Sequence, residues 1–362
     1  MLPIISLSIK GKEFRINMKK ISIVSACTDL GLNIDGADLG ATAITNDLNQ
    51  ENIAEKHIMK SKKAKKSSTA NLVEKKDTNY FVKEFNKLLL EMHEIHFENE
   101  MSQEDKNAYY QKMHNLVLSV KALDTINEKR NLEEINEFNE ELYNTILKII
   151  RDGNFPLLVG GDHIIAVASS LASIKENKNL GIIWFDSHSD YNTYFTSVTG
   201  NLHGLPLAVA TNYEKDILSD FHKGPFYNPK NTVVVGGRDI DPWEWGNVLD
   251  SGITVFSTED IKKYGVEEIC KKAFAIASDG TEGVHISLDL DIIDPEVAPG
   301  VSVPAKNGLD LKQTYELADE ITKYKDIIKS ADLVEYNPLF DKDDITKEIA
   351  KTILNKWISK LG

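Results

Sequence analysis

Short apolar runs alternate with amphipathic segments along most of this chain, and the alternation restricts the folds it can adopt. The run at 181–185, Gly-Ile-Ile-Trp-Phe, is apolar throughout, as expected of a parallel strand buried on both faces. The predicted strands cover residues 20–25, 156–159, 181–185, 232–235, 253–256, 284–288 and 331–334. Helical spacing of apolar residues predicts helices at 132–150, 260–277, 311–324 and 345–360. The sequence therefore predicts an α/β fold, a doubly wound parallel sheet with helices on both faces.

Three polar motifs lie at the carboxyl ends of three of the predicted strands. They are Gly-Gly-Asp-His at 160–163, Asp-Ser-His-Ser-Asp at 186–190 and Ser-Leu-Asp-Leu-Asp at 287–291. Ligands of an open parallel sheet bind beyond the carboxyl ends of its strands. Alternation along an extended chain points residues i, i+2 and i+4 toward one side. The candidate metal ligands are His163, Asp186, His188, Asp190, Asp289 and Asp291.

Each motif taken alone has a structural explanation. His163 after a Gly-Gly turn could be a hydrogen-bonded structural histidine, and an Asp-x-Asp sequence is common on protein surfaces. The occurrence of all three at strand ends favours a metal site instead. Two imidazoles and four carboxylates suit two ions, and oxygen-rich ligands without thiolate favour Mn²⁺, with Co²⁺, Fe²⁺ or Zn²⁺ as alternatives. Two ions about 3.5–4 Å apart can hold a bridging water and turn it into hydroxide, the expected nucleophile of a hydrolase.

Composition limits the partners and the compartment. The formal net charge of −14 disfavours nucleic acid and anionic membranes, and it suits either a cationic substrate or solubility alone. The two cysteines have no metal-type spacing, and neither a signal peptide nor an apolar span is evident, which predicts a cytoplasmic protein. We expect one domain over 1–362, with an N-terminal extension at 1–17. Residues 47–130 are expected to form a long insertion with a mobile lysine-rich loop and helices.

Six motifs together resemble those of the ureohydrolase family, and most of all those of its arginases. They are Gly-Gly-Asp-His at 160–163, Asp-Ser-His-Ser-Asp at 186–190, Thr-Gly-Asn-Leu-His-Gly at 199–204, Gly-Arg-Asp-Ile-Asp at 237–241, Ser-Leu-Asp-Leu-Asp-Ile-Ile-Asp-Pro at 287–295 and Val-Glu-Tyr-Asn-Pro at 334–338. The resemblance covers about residues 20–43 and nearly everything from 155 onward. It implies a three-layer α/β/α sandwich around a mostly parallel sheet of about eight strands, and a homotrimer or homohexamer.

The resemblance also implies how the metal ligands are shared. His163, Asp186, Asp190 and Asp289 would hold one Mn²⁺, and His188, Asp186, Asp289 and Asp291 would hold the other. Asp186 and Asp289 would then bridge the two ions. The implied reaction is hydrolysis of L-arginine to L-ornithine and urea, by attack of the bridging hydroxide on the guanidinium carbon.

Further residues receive roles from the same resemblance. His203 would carry a proton to the leaving amine, Glu335 would anchor the guanidinium group, and Asp190 would also help to stabilise the tetrahedral intermediate. The implied contacts to the rest of the substrate are Asn192, Thr199 and Asn201 for the α-carboxylate, Asp241 for the α-amino group and Glu244 through water.

Two alternatives stay open from the sequence. One is an agmatinase or another guanidino amidinohydrolase, and the other is a metal-binding subunit without catalysis. Both are kept open by departures from the usual arginase pattern at Thr199 and Val303, and by the missing arginine in the loop at 33–37. The complete ligand set and His203 favour an active arginine hydrolase.

Overall fold

The structure, a computed structural model, describes residues 6–9, 12–15, 20–48, 52–62, 131–197, 199–215 and 217–361. Residues 6–9 and 12–15 form an antiparallel pair, β1 (Ser6–Ile9) and β2 (Lys12–Arg15). Both strands fall inside the expected extension at 1–17. The remainder of that extension and residues 49–51 and 63–130 of the expected insertion lie outside the described residues.

One eight-stranded sheet organises the described chain. Its strands are β3 (Ile21–Cys27), β4 (Ile53–Lys60), β5 (Phe155–Gly160), β6 (Gly181–Phe185), β7 (Thr232–Gly237), β8 (Thr254–Ser257), β9 (Val284–Asp289) and β10 (Ile328–Val334). They lie in the order β4-β3-β5-β10-β9-β6-β7-β8, and every neighbouring pair is parallel. The predicted parallel sheet is confirmed.

Side chains on successive strand positions enter different cores, which explains why the strands are apolar throughout. On β5, Leu157 and Val159 pack into one buried cluster, whereas Leu158 between them packs into another. On β6, Ile183 joins the first cluster and Trp184 a third cluster on the opposite face. A parallel strand covered on both faces needs apolar residues at every position.

Helices cover both faces and complete the three-layer sandwich. The face of Leu157 carries α1 (Ala37–Thr45), α6 (Thr258–Tyr264), α7 (Val266–Ala277), α8 (Leu311–Thr322) and α9 (Ile345–Leu361). The opposite face carries α2 (Leu132–Arg151), α3 (Ala166–Asn177), α4 (Pro206–Ala210) and α5 (Pro242–Ser251). Among the helices in the described ranges, none is long and apolar enough to cross a bilayer.

The structure differs from the sequence prediction at two places. Residues 53–60, assigned above to the insertion, form the edge strand β4, which pairs with β3 along its whole length. The single helix predicted at 260–277 is two helices. They are separated at Gly265, whose φ of 86° is unfavourable for other residues, and α6 begins with a capping box between Ser257 and Asp260.

Candidate metal centre

The predicted ligands converge at the carboxyl ends of three strands, β5, β9 and β6. Successive strands β5 and β6 are separated in the sheet by β10 and β9, which leaves a crevice at this topological switch point. His163 follows β5, Asp186 follows β6, and Asp289 is the last residue of β9. The fold therefore brings together residues that are more than 100 positions apart in the chain.

The first cluster surrounds the imidazole of His163. Its Nδ1 atom lies 3.1 Å from Asp186 Oδ2, 3.0 Å from Asp190 Oδ2 and 3.1 Å from Asp289 Oδ2. On the other side of the ring, His163 Nε2 lies 2.9 Å from the Ser287 hydroxyl. When Nε2 donates to Ser287, the lone pair of Nδ1 faces the three carboxylates and can bind a cation.

The second cluster shares Asp186 with the first. His188 Nδ1 lies 2.8 Å from Asp291 Oδ2 and 3.4 Å from Asp186 Oδ1. His163, Asp186 and Asp289 form one possible metal-binding group, and Asp186, His188 and Asp291 form the other. Asp186 thus offers one oxygen toward each imidazole, as a bridging carboxylate requires.

Local backbone bonds fix the alternating ligands in place. The N–H of His188 donates to Asp186 Oδ1 at 2.6 Å, and the N–H of Asp291 donates to Asp289 Oδ1 at 2.7 Å. The N–H of Ser187 donates to Asp291 Oδ1 at 3.0 Å and ties the two motifs together. Each Asp-x-ligand pair is thereby held with both side chains on one side, as the sequence spacing predicts.

Electrostatics and bonding both fit a divalent cation here. Burial and the neighbouring Asp186 carboxylate raise the pKa of Asp190, and the same two causes raise the pKa of Asp291 to about 6. Within the described residues, His163 Nδ1 and Asp190 Oδ2 are buried without a hydrogen-bond partner. A cation would relieve the repulsion between the carboxylates and would occupy the unused lone pairs. The donor set therefore fits two oxygen-preferring metal ions.

Glu335 and His203 stand beside the clusters. The Glu335 carboxylate accepts a hydrogen bond from the backbone N–H of His163 at 2.7 Å through Oε1, and this oxygen lies 3.6 Å from His203 Nδ1. Its second oxygen, Oε2, is buried and has no hydrogen-bond partner among the described residues. That oxygen is an acceptor available to a planar cation.

Two of the site carboxylates have a strained backbone. Asp190 has a φ of 48° and Glu335 a φ of 68°, in the left-handed region that few non-glycine residues adopt. Such strain costs on the order of 1–3 kcal/mol and is typical of residues whose orientation matters for function. The rest of the fold therefore holds these two side chains in place.

The predicted α-carboxylate contacts lie on one loop after β6. Asn192 is buried, and Asn201 donates through Nδ2 to Asn33 Oδ1 at 3.3 Å. The Thr199 hydroxyl accepts the N–H of Asn201 at 3.2 Å. The Oδ1 atoms of Asn192 and Asn201 are buried and have no partner in the part of the chain that the structure describes.

Asp241 and Glu244 lie at the start of α5, in different environments. Asp241 is the exposed N-cap residue, and its side chain makes no capping hydrogen bond. Glu244 is buried, and its Oε1 accepts the Ser189 hydroxyl at 2.6 Å and the Tyr191 N–H at 2.9 Å. Burial raises the pKa of Glu244 to about 8, and Asp241 contributes to the rise. Glu244 therefore supports both residues that flank Asp190.

Three residues outside the predicted set also support the ligands. The Trp184 indole stacks on His163 with ring centroids 4.1 Å apart, and its N–H donates to Asp186 Oδ2 at 2.9 Å. Ser287 contacts His163, as described above, and Asp162 accepts two backbone N–H groups. All three adjoin the ligand motifs in the sequence, which is the signal that could have indicated them.

The sequence of this chain is similar to those of known proteins. The model of the arginase family matches residues 19–359. This chain belongs to the arginase family. It is 39% identical to the arginase of Brevibacillus brevis over 228 residues, which cover 62% of this chain and 75% of that protein. It is 36% identical to the arginase of Bacillus subtilis (strain 168) over 234 residues, which cover 64% of this chain and 78% of the relative.

A solved structure in the arginase family has the same fold. The native structure of the arginase from Bacillus caldovelox at pH 5.6 superposes with a TM-score of 0.73 at 27% sequence identity. The superposition covers 94% of this chain and 98% of that structure. The eight-stranded parallel sheet and its helices are therefore those of an arginase-family fold.

Proposed function

We propose that this protein hydrolyses L-arginine to L-ornithine and urea. The observation that carries the proposal is the position of Glu335, whose Oε2 is buried without a partner in the described structure. This oxygen belongs to a carboxylate that contacts both the backbone of His163 and the imidazole of His203. A guanidinium group is the planar cation that such a carboxylate binds well, with paired charge-assisted hydrogen bonds. The similarity to bacterial arginases supports the same substrate.

The six ligands would hold two metal ions. His163, Asp186, Asp190 and Asp289 are proposed for one ion, and His188, Asp186, Asp289 and Asp291 for the other. Two divalent ions, with Mn²⁺ proposed and Co²⁺, Fe²⁺ or Zn²⁺ as alternatives, lower the pKa of a shared water toward neutrality when bound and so supply a nucleophile. Asp186 and Asp289 would bridge the ions; the distances support this directly for Asp186, which faces both imidazoles.

The remaining site residues orient the substrate and move the proton. Glu335 holds the guanidinium group so that its carbon faces the clusters. Asp190, which lies in the same cluster, helps to stabilise the tetrahedral intermediate. His203 donates a proton to the nitrogen of the departing amine when the C–N bond breaks, and an imidazole suits this task near neutral pH. Ornithine and urea are the products.

Contacts to the amino-acid end of the substrate would set specificity. Asn192, Thr199 and Asn201 are proposed to bind the α-carboxylate. Asp241 is proposed to face the α-amino group, with Glu244 assisting through water. The exposed position of Asp241 at the start of α5 is compatible with a contact to the outer end of a substrate.

We also propose a cytoplasmic homotrimer or homohexamer. Cys27 and Cys270 are both free and buried, which suits a reducing compartment. Light scattering after size-exclusion chromatography measures the oligomeric state directly, and a monomer in solution would contradict the proposed assembly.

The deciding experiment measures urea release after metal-stripped protein is incubated with Mn²⁺. L-arginine and agmatine, which lacks the carboxylate, are tested in parallel. We expect Mn²⁺-dependent urea from L-arginine and much less from agmatine. Preference for agmatine would overturn the substrate assignment. Urea from neither compound, with metal bound, would contradict the proposed activity.

A further inference from the structure

Asp162 lies in the Gly-Gly-Asp-His motif, but it does not belong to either metal cluster. Its side chain is fully buried and accepts two backbone hydrogen bonds. Oδ1 accepts the N–H of Ile164 at 3.0 Å and caps the short 3₁₀ helix that contains His163. Oδ2 accepts the N–H of Gly31 at 2.8 Å, although Gly31 is 131 positions away. The first bond is local, whereas the second joins the motif to the loop after β3.

Gly31 in turn holds the backbone of His203. Its carbonyl oxygen accepts the N–H of Leu202 at 2.9 Å and the N–H of His203 at 3.3 Å. A Cβ atom at Gly31 would lie 2.8 Å from Asp162 Oδ1 and 3.1 Å from both Cβ and the backbone N of His203. Gly31 is thus packed between Asp162 and His203 with no room for a side chain. A displacement of the Gly31 peptide would therefore move the backbone of His203.

We propose that Asp162 is a positioning residue for His203, acting through the backbone of Gly31. This inference rests on the proposed proton transfer by His203. A proton donor must stay within hydrogen-bond reach of the departing nitrogen, and a misplacement of about 1 Å can reduce a rate about 100-fold. The peptide of Gly31 fixes the backbone of His203 from one side, and Glu335 faces its imidazole from the other.

The substitution Asp162→Asn tests the linkage because it is isosteric. A carboxylate accepts through both oxygens, whereas an amide has one oxygen and one N–H₂ group that can only donate. The variant can therefore keep the bond to Ile164 or the bond to Gly31, but not both. Asp294→Asn is a matched control. Asp294 also accepts one amide two residues on, from Glu296 at 2.9 Å, and one distant glycine amide, from Gly308 at 3.1 Å.

Two readouts are measured on the Mn²⁺-loaded protein. The first is kcat and KM for L-arginine, together with metal content per subunit. The second is amide hydrogen exchange of the segment 200–205 by mass spectrometry, which reports the bonds to Gly31 without any need for activity. For Asp162→Asn we expect kcat to fall about 10–100-fold. KM and metal content should stay near those of the wild type, and exchange in 200–205 should become faster. Asp294→Asn should match the wild type in all of these.

The outcomes separate this inference from the proposed function. Asp162→Ala, which has no acceptor oxygen, is measured beside Asp162→Asn because the asparagine can keep the bond to Gly31. Unchanged kcat or unchanged exchange in both variants would overturn the positioning role. Loss of metal in Asp162→Asn would also overturn it, because it would show that Asp162 acts through His163. If Asp162→Asn does not fold, Gly31→Ala tests the same contact from the other side, because its methyl group would lie 2.8 Å from Asp162 Oδ1 and 3.1 Å from His203 Cβ. Unchanged kcat and unchanged exchange in that variant would overturn the linkage through Gly31. If the wild type releases no urea, the proposed function fails, and the exchange comparison still decides whether Asp162 holds the His203 segment.

Discussion

Asp186 Oδ2 lies 3.1 Å from His163 Nδ1, although the strands that carry these residues are not neighbours in the sheet. His163 follows β5 and Asp186 follows β6, with β10 and β9 between them. The contact therefore spans the crevice at the switch point and joins the two halves of the site. Because Asp186 also faces His188, a single carboxylate connects both candidate metal positions.

Because Asp186 faces both candidate metal positions, we expect Asp186→Ala to lose more metal than His188→Ala. Asp186→Ala should leave less than one ion per subunit and lower urea release at least about 1000-fold, because both ions lose a ligand and the shared water loses its activation. His188→Ala should retain close to one ion, since His163 and its three carboxylates remain. Elemental analysis of the purified proteins measures both values.

Asp239→Asn serves as the control for these two variants. Asp239 Oδ2 lies 3.9 Å from His188 Nε2, but the side chain is largely exposed and belongs to neither cluster. We expect both ions and most of the activity to remain. Equal metal loss in Asp186→Ala and His188→Ala would contradict the bridging role of Asp186.

Removal of the His203 imidazole should slow turnover without emptying the metal site. His203→Ala is expected to lower kcat about 100- to 10,000-fold, the usual contribution of a positioned acid or base. KM and metal content should change little, since His203 pairs with Glu335 and neither residue belongs to the two metal-binding groups. Steady-state kinetics with parallel metal analysis checks this. A variant with full activity would show that another group delivers the proton.

Asn192 should matter only for a substrate that carries a carboxylate. Asn192→Ala is expected to raise KM for L-arginine about 10- to 100-fold, corresponding to a hydrogen bond to a charged group of about 1.5–3 kcal/mol. Agmatine serves as the matched control because it has the same guanidinium group and no carboxylate. Its residual hydrolysis should be unchanged by the substitution. An equal effect on both compounds would place Asn192 outside the carboxylate site.

Much of the fold could be predicted because its signals are local. The prediction at 181–185 coincides with β6, since a strand buried on both faces is apolar at every position. The edge strand β4 was missed because its side chains are partly exposed and include Glu55, Lys56 and Lys60. Its stability comes from backbone pairing with β3, which no local pattern reports. Edge strands with charged side chains are common because they limit aggregation.

In the site, too, the spacing within each motif could be predicted, whereas contacts between residues far apart in the chain could not. The spacing of Asp186, His188 and Asp190 predicts side chains on one side of the chain, and the structure brings all three into the two clusters after β6. The position of Asp162 beside His163 could have indicated a supporting role, but its bond to Gly31, 131 positions away, could not be predicted. The orientation of Glu335 likewise depends on a bond to the backbone of His163, which only the folded chain provides.

His222 predicts a pH dependence of stability that is separate from the metal site. The imidazole is buried, with Nε2 2.7 Å from the carbonyl oxygen of Pro225 and Nδ1 3.1 Å from the Tyr143 hydroxyl. A carbonyl only accepts, so Nε2 carries the hydrogen and Nδ1 accepts from Tyr143. Burial lowers the pKa of His222. The hydrogen bond to Pro225 raises it in part, and the charge of Lys175 lowers it further.

The sign of the effect follows from proton uptake. In the unfolded chain the pKa of a histidine is about 6.5, so below this pH the His222 imidazole is protonated in the unfolded state. In the folded state it stays neutral until the pH reaches its lower pKa. The contribution of His222 is therefore present above about pH 6.5 and is lost as the pH falls through the lower folded pKa. The wild type and His222→Gln are unfolded with urea at pH 7.5 and at pH 5.5. The free energy of unfolding should fall more between these two pH values in the wild type than in His222→Gln.

Tyr143→Phe separates burial from hydrogen bonding in this pH effect. The variant removes the donor to Nδ1 and should lower stability at pH 7.5 by about 1 kcal/mol, the usual net value of one hydrogen bond. The imidazole stays buried, so the extra loss of stability between pH 7.5 and 5.5 should remain close to that of the wild type. A pH dependence that disappears in Tyr143→Phe would identify the Tyr143 bond, and not burial, as the cause. Equal pH dependence in His222→Gln and the wild type would assign the effect to other groups.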